Sequence, residues 1–509
     1  MRVVANVHRR DLELAGIGTG RHSFRIAMAD LGHPPPGTSI SAQFDSGEHL
    51  TGSPLQLTAS FETDPKAREA IRALINSPAT ADVLRGRVLF IASQMEHLLT
   101  RMADRHSNRT ERAAARAHKW RLDKAGDKSR AGPSRQALII DESMPAPGRD
   151  AGSQAVLSHM QALVRLGFEV TFAAADMAGT PDALAAHGIA TLCAPWVGSV
   201  EEVLRRQAGE WDLIYMHRVG IAARYKALAR YHAPKGRLLY SLADLHSLRL
   251  LRQAAAEDRP ELIAHAKYIR SLELAAAAEC DAVITHSPDE AELLRGWLPH
   301  VNVHVVPWAA TIAPTPAPFR DRDGVLFVGS FAHAPNLDAA IWLMDEIMPL
   351  VWEMAPFIHC IVVGAGTPDA LIRRRQPRVE VMGEIPDLQG IMNRVRLSVA
   401  PLAFGAGLKG KVLDSLAGGL PCVCTPIAAE GFRLPASLSG LIATDAAGLA
   451  RSIVRLHGDP ALFQACRDGG LDLVRREFSD AAVDSALRAA VGLPQSTPSA
   501  TTTESVNFR

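Results

Sequence analysis

Residues 401–423 read PLAFGAGLKGKVLDSLAGGLPCV. The run before them, LSVAP at 397–401, predicts a strand, and PCVCT at 421–425 predicts another. Between the two lie a glycine turn and an Ala/Gly-rich helical stretch. Strand, turn, helix, strand is the repeating unit of a parallel sheet. In such sheets ligands bind beyond the carboxyl ends of the strands, and that is where Gly405, Gly407, Lys409 and Lys411 fall. Glycines let the backbone approach a ligand and lend it N–H groups, and a helix N-terminus adds partial positive charge. Two lysines put full charges in the same place. The stretch therefore reads as an anion site with a diphosphate as its guest. Asp414 lies five residues beyond Lys409, about one turn into the helix, where a carboxylate can accept two ribose hydroxyls. The competing reading is a glycine-rich loop with two solvated lysines.

Outward from this stretch the same alternation continues. VLFVG, IHCIVVG, VEVMG and GLIA add strands to the second half, with helices at NLDAAIWLMDEIMPLVWEM and DLQGIMNRV. A first half carries ALIID, FEVTFAA, LIYMH, RLLYSLAD, AVITHS and VHVVPW as strands, again spaced by helical stretches. The Pro-rich PWAATIAPTPAPFRDRD separates the halves without any period, as a linker does. The reading is an α/β chain with two Rossmann-like domains facing across a cleft, at 135–308 and 324–492, joined by 309–323. Residues 1–62 alternate in short runs and read as a partial β-rich module that begins upstream of Met1. Residues 63–134 have helical spacing and end as a basic linker, and 493–509 have the composition of a disordered tail.

Composition excludes several classes. Among 509 residues, Lys+Arg is 55 and Asp+Glu 54, so net charge offers no reason to expect nucleic acid. From Arg101 to Arg135 eleven basic residues stand against four acidic ones. A solvated interdomain helix accounts for that run; contact with an anionic membrane face is the alternative. Six cysteines without a CxxC indicate reduced thiols, and Cys422 and Cys424 share a strand face as core filling. No apolar run approaches the ~20 residues of a membrane helix, and basic residues interrupt the N-terminal run that a signal peptide would need. The expected location is the cytoplasm, with peripheral attachment at the inner membrane face as the variant.

Other strand ends of the second half also carry small residues: Gly329 and Ser330, Gly364 to Gly366, and Thr425 to Gly431 with Glu430. Neither GAG, at 364–366 or 405–407, is a GxGxxG, and no Walker lysine loop occurs. The one DxD, Asp321-Arg322-Asp323, precedes its strand and so sits on the wrong rim for a metal–diphosphate site. No metal is expected, with the lysines in its place. In the first half, strand ends offer Gly152 and Ser153, His217 and Arg218, and Asp244 with His246. Asp244-Leu245-His246 can orient an imidazole toward a hydroxyl; a buried histidine that merely satisfies a hydrogen bond is the competing fate of His217 and His246.

VLFVGSFAHAPNLDAAIWLMDEIMPLV, IVVGAG, VEVMGEIPDL and SVAPLAFGAGLKGKVLDSLAGGLPCVCTPIAAEGF occur in the order found in family 4, or group 1, glycosyltransferases. The chain resembles that family most closely from about Gly324 to Phe478. IIDESMPAPGRDAGSQ and YSLADLHSLRLLR extend a weaker resemblance over the first half, and 1–60 resembles a small β module fused to some bacterial glycosyltransferases. The resemblance implies a GT-B fold and a retaining glycosyltransferase of cell-surface glycan synthesis. Its substrates would be a nucleoside diphosphate sugar and a glycan or lipid-linked acceptor hydroxyl, with neither metal nor other cofactor. It puts the donor phosphates at Gly329, Ser330, Lys409 and Lys411, and its second acid at Asp414. The strand-end reading adds Gly405, Gly407 and Glu430 to the donor side, sets the acceptor beside Gly152, Ser153, His217 and Arg218, and gives catalysis to His246, Asp244 and Lys409. The chain also departs from the family. Where many members have Glu-x7-Glu, position 406 is Ala and the second acid is Asp414, and GSFAHAPN lacks the usual Arg and Lys. Those departures support the rival reading of a non-catalytic glycan- or partner-binding module. A nucleotide-sugar epimerase would need a pair of cleft acids that the sequence does not identify.

Overall fold

The computed structural model describes residues 39–40, 55–56, 135–146, 150–385 and 387–494. The chain forms two compact units, 1–95 and 96–509. In the first unit β1 (Ser39–Ile40) pairs antiparallel with β2 (Leu55–Gln56). The helical stretches expected over 64–128 lie outside the described residues, as do the basic run before Arg135 and the tail beyond 494.

The second unit holds two parallel sheets. Seven strands build the first: β3 (Arg135–Asp141), β4 (Phe168–Ala174), β5 (Ile189–Leu192), β6 (Leu213–His217), β7 (Arg237–Ser241), β8 (Ala282–Thr285) and β9 (Val303–Val305). Their order is β5-β4-β3-β6-β7-β8-β9. Five build the second: β10 (Val325–Val328), β11 (Cys360–Val363), β12 (Val379–Met382), β13 (Leu397–Ala400) and β14 (Cys422–Cys424), in the order β12-β11-β10-β13-β14. In each sheet the strand order reverses beside the first strand, and the crevice opened there lies at the carboxyl ends. Both strand faces are covered. Along β3, Leu138 and Ile140 enter one core while Ala137 and Ile139 enter the core of the opposite face. This is the doubly wound, two-domain architecture that the alternation predicts, and the GT-B fold that the resemblance implies.

Three local features differ from the sequence reading. IATL was not read as a strand, yet it forms β5 at the sheet edge; four residues carry too little pattern. GLIA is not a strand: Ala436–Ser439 is one helical turn and Ile442 makes a single bridge to Cys424. Leu441 is fully buried there, so its apolarity reports core filling, which a short apolar run cannot distinguish from a strand. The long helix 336–354 is interrupted. Ala334–Trp342 passes into a π-helical turn, Leu343–Ile347, before Met348–Met354. Pro349, lacking an N–H, cannot close the ordinary bond to the preceding turn, and widening the helix there accommodates it.

The linker lies against the second domain. Its N–H groups at Ala313 and Thr315 donate to Ala417 and Gly418, and buried Arg322 donates to the carbonyls of Met392 and Val395. Helix Asp480–Ala490, although it follows the second domain in sequence, returns to the first. Val483, Leu487, Ala490 and Val491 join the core behind β3 and β4, and Arg165 grips Asp484 with two nitrogens.

Candidate functional site

The carboxyl ends of both sheets border one cleft of about 1640 Å³, lined by both domains, Trp308 among them, and by linker residues Ala309 to Thr311. That is more room than a typical single small-ligand pocket, and it suits two substrates. The domains touch at its edge. A Cβ on Gly407, whose φ is +68°, would lie 2.9 Å from Asp244 Cβ, and one on Gly410 would lie 3.0 Å from Ala151 Cβ. At 407 only glycine permits so close an approach, and at 410 a Cβ would press tightly on Ala151.

On the second-domain wall, Gly329 and Ser330 follow β10 and line the cleft. Gly364, after β11, packs directly on the Gly329 carbonyl; a Cβ there would stand 1.7 Å from that oxygen. Helix Gly410–Ala417 aims its N-terminus into the cleft with Lys409 as its N-cap. Lys409 is only 9% exposed, so it is not a solvated loop lysine. Its ammonium donates to the carbonyls of Ala406 (3.1 Å) and Gly407 (2.5 Å). Burial pushes its pKa down, against the pull of Glu430, Glu290 and Asp244. Lys411 donates to Asn336 Oδ1 and lies 5.2 Å from the centre of the Phe327 ring. Burial lowers its pKa to about 7. The Asp414 carboxylate has no hydrogen-bond or ion-pair partner among the described residues, and burial raises it to about 6. Asp414 is half-buried by solvent exposure, and an unpartnered carboxylate on the cleft wall is free to serve a ligand. Glu430 does not line the cleft; it pairs with Arg252 of the first domain.

On the first-domain wall, Asp244 accepts from His246 Nε2 at 2.8 Å and from Arg249 at 2.9 Å. Burial pushes the Asp244 carboxyl up, but His246, then Arg249 and Lys409, outweigh it and hold it at about 2. Asp244 is therefore a fixed anion that orients His246, not a proton donor at neutral pH. Arg218, at φ +73°, reaches Asp141 at 3.3 Å, with Glu142 and Asp150 at 3.7 Å. Its guanidinium lies where a Cβ on Gly152 would stand, 2.9 Å away. Three surrounding carboxylates make Arg218 a poor anion site, and it braces the start of helix Ala151–Arg165. Asp150 caps that helix by accepting from the Ser153 N–H and hydroxyl, and His217 is fully buried against Ser241; neither Ser153 nor His217 lines the cleft.

Sequence reasoning missed four contributors: Asn336, Arg249, Arg252 and His286. Asn336 stands in GSFAHAPN, the segment noted for lacking a cation, and it acts by holding Lys411. Arg249 and Arg252 lie one and two turns along helix His246–Ala256, so helical spacing from Asp244 could have marked them. His286 lines the cleft with Nδ1 bonded to the Val306 carbonyl. A carbonyl only accepts, so Nδ1 carries the hydrogen and Nε2, which has no partner, is an acceptor. Among the described residues no group of three or more His, Cys, Asp or Glu is placed to hold a metal ion. Asp323 of the DxD is bound to His457 ahead of β10, at the opposite end of the strands from the cleft.

Residues 322–459 match the family model described as group 1 glycosyl transferases. The matched stretch covers most of the second domain, which is similar to group 1 glycosyl transferases. The chain is also 24% identical to a 44.6 kDa protein in the cps region of Klebsiella pneumoniae, described as uncharacterized, over 29% of this chain. It spans 42% of that relative's length. Among solved structures, sucrose-phosphate synthase from Thermosynechococcus elongatus aligns with TM-score 0.55 and 18% identity over 69% of this chain and 96% of its own. HepE of Anabaena, solved with UDP and glucose, aligns with TM-score 0.51 and 14% identity over 70% and 99%. At such identities these two show the GT-B fold, and the second domain supplies the wall that carries Lys409, Lys411 and Asp414.

Proposed function

We propose that the protein is a retaining glycosyltransferase that moves a sugar from a nucleoside diphosphate sugar to a hydroxyl of a glycan or lipid-linked acceptor. The observation that carries this reading is buried Lys409 with half-buried Lys411 at a helix N-terminus, one turn from an unpartnered Asp414. The diphosphate sits against the two ammonium groups and the glycine turns, and Asp414 accepts the ribose hydroxyls. As the glycosidic bond breaks, negative charge grows on the leaving phosphate. Each lysine about 4 Å away then contributes roughly 4 kcal/mol at an effective dielectric near 20, before desolvation costs. His246, oriented by Asp244, faces the donor sugar or the incoming hydroxyl. The leaving phosphate takes the acceptor's proton, so retention needs no carboxylate nucleophile, which suits a chain with Ala at 406. The lysines supply the counter-charge without a metal. The relative from a cps region favours surface polysaccharide as the product, made at the cytoplasmic face of the membrane.

Thermal shift with UDP, GDP and dTDP, followed by transfer of a labelled sugar, tests this. One diphosphate raises the melting temperature and its sugar turns over in excess chelator. No response to any of the three rejects the reading. Ala406 favours one rival, a glycan- or partner-binding module; tight nucleotide binding with no turnover on any acceptor selects it.

A further inference from the structure

The pairing of Glu430 raises a problem of charge that the donor site must solve. Glu430 Oε2 lies 4.0 Å from Lys409 Nζ, close enough to compete with a diphosphate for that ammonium. A lysine held by a carboxylate is a poor phosphate ligand, because binding the phosphate would first have to break the pair. In this structure Glu430 is occupied from the other domain. Arg252 donates to both its oxygens, Nη1 to Oε2 at 2.6 Å and Nη2 to Oε1 at 2.8 Å. The same Nη1 donates to the Gly405 carbonyl at 2.7 Å, so one guanidinium holds the acid and the glycine turn together. Lys409 is left donating to two backbone carbonyls, neutral partners that it can exchange for phosphate oxygens at lower cost.

We infer that Arg252 is a positioning residue: by taking Glu430 from across the cleft, it frees Lys409 for the diphosphate. The inference rests on reading the cleft as a nucleoside diphosphate site. It ties readiness of that site to the approach of the two domains, since Arg252 rides on helix His246–Ala256 of the first and Glu430 follows β14 of the second. The contact between the Gly431 N–H and Asp289, at 2.8 Å, keeps the acid's loop in register with the first domain.

Calorimetric titration of the full chain with UDP, and with uridine as the control that lacks phosphate, tests this. GDP with guanosine and dTDP with thymidine serve if UDP does not bind. Arg252→Ala leaves Glu430 to Lys409 and is expected to weaken the diphosphate about tenfold or more, the loss typical of one charge-assisted bond. Affinity for the nucleoside stays unchanged. Adding Glu430→Gln to that variant removes the competitor and is expected to restore diphosphate affinity to within about threefold of wild type, a margin below one such bond. A double variant as weak as Arg252→Ala, or an Arg252→Ala that binds like wild type, overturns the inference. If Arg252→Ala does not fold, Arg252→Lys decides. It still neutralises Glu430 and retains affinity, whereas a clamp that needs the guanidinium fork loses affinity as fully as alanine would. Wild-type protein that binds none of the three diphosphates instead overturns the proposed function.

Discussion

Lys411 and Asp414 titrate on either side of a narrow window, and that makes a prediction about pH. Lys411 falls from 10.5 to about 7 because the folded chain buries its ammonium. Between those values the unfolded chain holds a proton that the folded one has released. Stability contributed at this site therefore rises with pH through that range. Diphosphate binding reverses the preference, since the phosphate wants the ammonium, so the complex takes up a proton above pH ~7. Asp414 rises from 3.8 to about 6 and must be ionised to accept ribose hydroxyls. Nucleotide affinity should thus be greatest between about pH 6 and 7 and fall on both sides, with net proton uptake on the alkaline limb. Titrations in buffers of different ionisation enthalpy measure that uptake; flat affinity from pH 5 to 9 contradicts it. Lys411→Met should abolish diphosphate binding while melting at or above the wild-type temperature at neutral pH, because it removes a buried charge. Asp414→Asn should weaken the nucleotide by about 1.5–3 kcal/mol with the fold intact. Spacing marked both side chains as candidate site residues, with a glycine-rich loop of solvated lysines as the competing reading. Their burial was not legible, because the sequence does not say that Phe327 and Asn336 close over Lys411.

At the scale of elements, helix Asp480–Ala490 separates order in sequence from place in the fold. Its apolar positions Val483 and Leu487 are fully buried in the first domain. Leu487→Ala should cost about 2–5 kcal/mol, read as an earlier first transition in urea. Asp484→Ala breaks a bidentate pair, but Arg165 is 36% exposed in that pair, so the expected cost is below about 1 kcal/mol. Reversal of that ranking would mean that charge, and not burial, holds the helix. Which domain it covers is a matter of complementary surfaces, and local pattern carries no such information. The same limit explains GLIA, where apolar residues that looked like a strand fill a corner beside Cys424.

The cleft proposed to take the donor lies between the two parallel-sheet domains. Gly407 against Asp244 and Gly410 against Ala151 are contacts that any larger side chain would push apart. Gly410→Val should hold the cleft open. Small-angle scattering would show a larger radius of gyration with nucleotide bound. Transfer should drop steeply, because a 1 Å misplacement can cost about a hundredfold. Nucleotide binding to the second domain should persist. Unchanged transfer with the larger radius would show that closure at this edge is not needed for chemistry.

The sequence alone determined the alternation of strands and helices, the division near the Pro-rich linker and the glycine–lysine turn, because each is written in local composition and period. Only the tertiary structure decided what those parts do to one another. It withdrew Glu430 from the cleft and gave it to Arg252, set Arg218 among three carboxylates, and left Asp414 half-buried on the cleft wall without a partner. These outcomes depend on residues far apart in the chain meeting at a few ångströms, and electrostatic energy at such distances is set by burial and geometry, which no single stretch of sequence contains.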